Sequence, residues 1–221
     1  MAKTRAFETH YEEYDAWFDE NEAIYESELL AVQSLLPAEG NRIEIGVGSG
    51  RFASRLGIKE GVEPAVGIAK LACARGIGIR QGTAEALPLP DATYDVALLV
   101  TTLCFVDDIH RTFTEAHRVL TAGGCVVLAF IPKDSPFGRF YDRIKDSDEF
   151  FRAASFYTKR EVFTALKRAG FAVERTVQTL TTSPQAANRS VEEPSPGHDR
   201  GSFVVVRALK RRTSGNNRSE A

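Results

Sequence analysis

Cysteine is scarce in this chain of 221 residues: there are three, Cys73, Cys104 and Cys125. Their odd number and lack of metal-ligand spacing argue against a disulfide framework or a zinc site, and fit reduced thiols. Net charge is nearly absent too, because 28 Lys and Arg stand against 30 Asp and Glu to leave −2. Such a balance offers no field to recruit nucleic acid or an anionic membrane. No apolar run approaches the roughly 20 residues that span a bilayer, and residues 1–8 have no apolar core of a secretory signal. The expectation is a soluble, cytoplasmic protein with neither nucleic acid nor membrane as partner. A hydrophobic content of 43% with 26% charged residues suits one globular domain with short appendages. No internal repeat is evident.

Residues 7–36 read as helix. Phe7, Tyr11, Tyr14, Phe18 and Tyr25 share one helical stripe with Trp17 beside it, and nine acids against two bases in residues 1–30 give a solvated opposite face. From Arg42 onward, short apolar runs alternate with helical patterns, which predicts a parallel α/β sheet covered on both faces. Strands are expected at 42–46, 58–63, 77–81, 94–100, 125–131, 171–179 and 202–208. Helices are expected at about 50–56, 65–75 and 108–120, and over most of 137–169. No helix fits between the last two strands, so they should pair antiparallel. The fold class is therefore α/β: a Rossmann-like three-layer sandwich with a seven-stranded, mostly parallel sheet and an antiparallel last strand. Residues 181–200 form a long polar loop, and residues 210–221 a flexible basic tail.

Four strand ends carry candidate chemistry, where open α/β sheets bind ligands. The first is Ile43-Glu44-Ile45-Gly46-Val47-Gly48-Ser49-Gly50. Its Gly-x-Gly-x-Gly spacing breaks the dinucleotide pattern, which would need glycine where Arg51 stands, and points from a pyrophosphate cofactor towards S-adenosylmethionine (SAM). A plain tight turn would use the same glycines. The second is Glu63 before Pro64, a carboxylate placed to accept hydrogen bonds from ribose hydroxyls. The third is the loop Gly82-Thr83-Ala84-Glu85-Ala86-Leu87-Pro88, whose backbone and short side chains suit an adenine edge, with Leu87 closing over the ring. The fourth is Thr101-Thr102, where carbonyls and hydroxyls suit an ammonium group.

Together these motifs, with Tyr94-Asp95-Val96-Ala97 and Glu115-Ala116-His117-Arg118-Val119-Leu120 before Gly123-Gly124, resemble the class I SAM-dependent methyltransferases, in the branch grouped as methyltransferase type 11. The resemblance covers roughly residues 40–131. It implies that Glu44, Gly46, Gly48 and Gly50 hold the methionine and ribose portion of SAM. It implies further that Glu63 takes the ribose hydroxyls, Thr83, Ala84 and Glu85 flank the adenine, and Thr101 lies by the methionine end. Members often carry Asp at the position of Thr83, so here that contact falls to a hydroxyl or to backbone. The implied domains are an N-terminal helical lid over 1–36, a methyltransferase domain over 37–209, and the tail.

Within the lid, Tyr11, Tyr14, Trp17 and Phe18 present aromatic faces to a sulfonium, an attraction of roughly 0.5–2 kcal/mol. The implied activity is methyl transfer from SAM to a small-molecule acceptor, with S-adenosylhomocysteine as product. No side chain is a clear base. His10, Tyr141, Tyr157 and His198 lie in segments facing the acceptor side and read better as structural or solvated, while Asp107 reads as a helix N-cap rather than a metal ligand. Two other classes stay open: a non-catalytic SAM- or nucleoside-binding regulatory module, and an NAD(P)-dependent oxidoreductase, which the missing third glycine opposes. The acceptor would be shaped by residues 7–25, 132–158 and 181–200.

Overall fold

A computed structural model describes residues 3–211. Its sheet is built from β1 (Arg42–Ile45), β2 (Glu60–Glu63), β3 (Gly78–Gln81), β4 (Tyr94–Val100), β5 (Leu120–Phe130), β6 (Phe171–Thr179), β7 (Ser195–Pro196) and β8 (Phe203–Lys210). They lie in the order β3-β2-β1-β4-β5-β8-β6-β7. The first five in that order run parallel, and β8 inserts antiparallel between β5 and β6. The strand order turns back at β1, between β2 and β4, which opens a crevice at the carboxyl ends of those strands.

The strands are apolar throughout because both faces are covered. In β4, Val96, Leu98 and Val100 face one core, while Ala97 and Leu99 face the other. The first core is roofed by α2 (Tyr11–Glu20), α3 (Glu22–Leu35), α4 (Arg51–Arg55), α5 (Val66–Ala74) and α7 (Pro136–Ile144). The second lies under α6 (Ile109–Val119) and α8 (Lys159–Arg168). A short α1 (Arg5–Thr9) precedes these elements, and α9 (Pro184–Ala187) lies in the long loop.

Several elements differ from the sequence expectation. The sheet has eight strands rather than seven, because residues 195–196 of the polar loop add a two-residue edge to β6. The single helix expected to run to residue 36 is three helices. His10 and Asn21 leave helical backbone, and the Asn21 amide bonds back to the Trp17 carbonyl at 2.9 Å. The strand expected from residue 125 starts at Leu120, so Gly123 and Gly124 lie within it. The N-cap of α6 is Asp108, not Asp107: its carboxylate accepts the His110 and Arg111 N–H groups at 2.8 and 3.1 Å. The tail was expected from 210, but Lys210 ends β8, and its ammonium donates to the His117 and Leu120 carbonyls, each at 2.7 Å. The remainder, 212–221, lies outside the described residues.

The 181–200 loop is tied down by one buried amide. Gln178 Oε1 accepts the Arg200 and Gly201 N–H groups, each at 2.7 Å, and its Nε2 donates to Asp199 at 3.0 Å. At the other end, Asn188 bonds the Glu20 carbonyl and the Ala23 N–H, which fixes the loop on the α2–α3 junction. Gln178→Ala would strand two backbone donors, so a loss of about 1–3 kcal/mol is expected in urea unfolding, with the slope unchanged.

Candidate active site

Three strand ends are laced together before any ligand is considered. Thr102 Oγ1 donates to the Ile45 carbonyl at 3.1 Å, which ties the end of β4 to the end of β1. Gly46, at φ +72°, passes so close to Thr102 that an added Cβ would overlap its side chain. Glu63, at the end of β2, accepts the Gly48 N–H at 2.9 Å and the Ala65 N–H at 3.0 Å. Burial pushes the Glu63 carboxyl above the ordinary carboxylate value, and those two backbone donors partly offset it. At Gly48, φ +54°, only Ile68 Cδ1 lies near an added Cβ, at 3.7 Å, so the turn presents bare backbone.

These groups line a small cavity of about 80 Å³. Of the residues singled out in the sequence, Gly46, Gly48, Glu63, Pro64, Thr83, Ala84, Glu85, Thr101 and Tyr14 all reach it. Glu44, Gly50 and Gly82 stand behind its wall. Gly50 caps α4 against Ala72, and Gly82 packs under Pro88. Glu44 is buried beneath the turn with Oε2 unpartnered; burial holds its carboxyl well above the ordinary value, with Ala53 lowering it and Glu63 raising it. Leu87 does not close over the cavity. It turns into the core, and Ile68, Phe105 and Val106 supply the apolar wall instead. Glu85 accepts the Asp107 N–H at 2.6 Å, which fixes the approach to α6.

Thr101 carries backbone strain, with φ at +50°. That conformation is unusual for a β-branched residue and clusters at functional sites. The Thr101 hydroxyl lies within hydrogen-bonding reach of Tyr14, whose own hydroxyl is driven upward in pKa, first by burial. Cys104 donates to the Thr101 carbonyl at 3.0 Å, and burial pushes its thiol up to about 12. It is a structural thiol, not a thiolate.

A second cavity of about 490 Å³ opens on the far side of Tyr14, Thr101 and Phe105, which line both spaces. Half of its lining residues are aromatic, among them Trp17, Phe137, Tyr141 and Phe151. The three expected segments all contribute, the loop through Pro184 and Gln185. Tyr141 and Tyr157 are in this wall. His10 instead faces Glu13 and Glu149, and His198 packs on Phe163.

The N-terminal helices roof both cavities. Phe7 meets Tyr14 and Phe105 edge-on, at 5.1 and 4.9 Å between ring centroids. Glu8 accepts the Val66 and Gly67 N–H groups at the start of α5. Arg51, directly after the glycine turn, pairs with Asp15 at 2.9 Å and Asp19 at 2.6 Å, and Arg75 pairs with Asp15 at 2.7 Å. Burial would raise Asp15, but hydrogen bonds from Arg51, Ser49 and Arg75 outweigh it and hold the carboxyl at about 2.

One wall residue escaped the sequence reading. Glu28 lines the larger cavity, is 5% exposed, and makes no hydrogen bond or ion pair among the described residues. Burial alone pushes its carboxyl up to about 8. A signal was present: Ile24, Glu28, Ala31 and Leu35 fall at helical spacing, an acid within an apolar stripe.

Comparisons with known proteins identify the family and the fold. Residues 43–128 match the family model described as "Methyltransferase domain". An uncharacterized protein of Methanocaldococcus jannaschii is 38% identical over 204 residues, spanning 92% of this chain and 98% of its own. A Thermotoga maritima crystal structure, described as a SAM-dependent methyltransferase and possible histamine N-methyltransferase, superposes with a TM-score of 0.90. It is 42% identical and covers 94% of this chain and all of its own. The chain belongs to the class I SAM-dependent methyltransferases. A malonyl-[acyl-carrier protein] O-methyltransferase of Geobacter sulfurreducens is 28% identical, over 75% of this chain and 68% of its own.

The buried acid of this methyltransferase makes a pH signature. A carboxyl raised from 4.5 to about 8 contributes stability that is full below its unfolded value and lost as pH rises through 8. Glu28→Gln removes that loss. The variant should therefore gain on the parent between pH 5 and 9 by a few kcal/mol at most, since each pH unit crossed between the two values is worth about 1.4 kcal/mol. Urea midpoints of both proteins across that range check it.

Proposed function

We propose that the protein binds SAM in the smaller cavity and transfers its methyl group to a small molecule held in the larger one. The observation that carries this is the shared partition: Tyr14, Thr101 and Phe105 line both spaces, so two ligands would meet there. The residues fit the cofactor chemically. Glu63 has acceptor sites left for ribose hydroxyls after two backbone bonds. Gly48 offers bare backbone, and Thr83, Ala84 and Glu85 lie beside Ile68 and Val106 as an adenine wall. Glu44 and Gly50 would support the turn from behind.

When bound, SAM supplies an electrophilic methyl on a sulfonium. The chain's work is then positioning and exclusion of water rather than acid–base chemistry. Tyr14 presents a ring and a hydroxyl at the partition, and Thr101 is held there by strained backbone.

The cavity of about 80 Å³ is smaller than drug-sized ligands need, a few hundred Å³ as a rule. Lys3, Thr4 and Phe7 fill the remainder of its mouth. Residues 1–36 therefore act as a lid whose first helix shifts to admit the cofactor, while α2 stays fastened through Arg51.

Isothermal titration with SAM and with S-adenosylhomocysteine should give binding, and Glu63→Ala should weaken it by more than tenfold. Folded protein giving no heat at high micromolar ligand would remove the cofactor from this site.

A further inference from the structure

The larger cavity has an unusual charge composition. Glu13, Glu20, Glu28 and Asp148 line it, and no Lys, Arg or His does among the described residues. Glu13 and Glu20 are exposed at the mouth. Asp148 spends Oδ1 on the Phe150 and Phe151 N–H groups, at 2.9 and 3.0 Å. Glu28 differs from all three: it is 5% exposed, unpartnered among the described residues, and part of a wall that aromatic side chains share. Among the groups within electrostatic range of it are the hydroxyls of Tyr14 and Tyr141. Tyr14 is also a partition residue, so the acid and the methyl-transfer point share one neighbour.

We infer that Glu28 is the acceptor-binding anion of this enzyme, and that the acceptor is a small amine with an aromatic or other apolar body, its basic nitrogen seated on the Glu28 carboxylate. This rests on the methyl-transfer function proposed above and names the substrate class for the same site.

Three chemical arguments converge on it. An ammonium supplies N–H donors to a carboxylate that has none, in surroundings of low dielectric where a paired charge interacts strongly. The rings of Trp17, Tyr14 and Tyr141 suit a cation by their faces and an apolar body by their area. An anionic acceptor would meet four carboxylates and no counter-charge, so carboxylates and phosphates are selected against. The volume, about 490 Å³, suits a one- or two-ring compound.

The test uses the full chain saturated with S-adenosylhomocysteine. The probes are 2-phenylethylamine and 2-(1-naphthyl)ethylamine, each beside the alcohol and the carboxylate on the same skeleton, titrated calorimetrically. At least one amine should bind tenfold or more tighter than both of its counterparts. Glu28→Gln should erase that preference while leaving the affinity for S-adenosylhomocysteine unchanged, and Glu28→Asp, which keeps the charge, should retain part of it. Amines binding no tighter than the alcohols or carboxylates would overturn the assignment. So would a preference that survives Glu28→Gln, or two amines that fail to bind at all. Amine selectivity in a protein that does not bind S-adenosylhomocysteine would uphold the anion site and overturn the methyl-transfer function.

Discussion

Everything at the carboxyl edge of this sheet depends on how closely the turn after β1 approaches the ends of its neighbours. Gly46 lies against Thr102, where even a methyl group has no room, and the Thr102 hydroxyl closes the contact by bonding the Ile45 carbonyl. Glu63 completes the lacing from the other side through the Gly48 N–H. Strand ends joined this way cannot move independently. The carboxylate, the bare backbone and the strained Thr101 are held in one arrangement by the fold itself, so the cost of ordering them is met by folding.

The N-terminal helices are fastened to the same turn. Position 51 is where a dinucleotide fingerprint would need its third glycine. Here it holds an arginine that grips Asp15 and Asp19 of α2 and stands over the Phe18 ring at 5.6 Å. One residue thus accounts for two features, the departure from a pyrophosphate-binding pattern and the attachment of the aromatic roof. Exposed ion pairs contribute little, but the Arg51–Asp15 pair is mostly buried and shared with Arg75. Such a network fixes direction more than it adds stability. It leaves α1, which is attached through Glu8 and Phe7, as the lighter of the two roof elements.

What was legible in the sequence follows from the range of the forces involved. The strand ends could be read because each is announced locally: Gly46 to Gly50 by backbone conformations only glycine tolerates, Glu63 by its place before Pro64, and the strands by apolar runs. Breaks that depend on tertiary contacts could not. His10 and Asn21 interrupt a continuous helical stripe with no proline or glycine to mark them. The edge strand at 195–196 exists because Gln178 and Asn188 hold the loop against the sheet and helices, a contact between residues far apart in sequence. Leu87 sits in the loop that suggests a ligand contact. Its direction, into the core, is decided by the Glu115 carboxylate that accepts its N–H at 2.9 Å. Glu28 is legible in principle as the polar residue that violates an apolar helical face, a different signal from the periodicity that locates the face.

That violation has a thermodynamic meaning. An unpartnered carboxyl in an apolar wall is costly whichever state it adopts: ionised it lacks a counter-charge, and protonated it lacks an acceptor. A leucine there would continue the stripe of Ile24, Ala31 and Leu35 at no such cost. Exceptions to the local rules of this kind are expected at functional sites. On the proposed function, the glycine turn and Glu63 would serve any adenosine-like group. Within the larger cavity Glu28 is the single deeply buried charge-bearing side chain among the described residues. On the proposed function, the choice of acceptor would rest on α3, an element outside the motif-bearing strand ends.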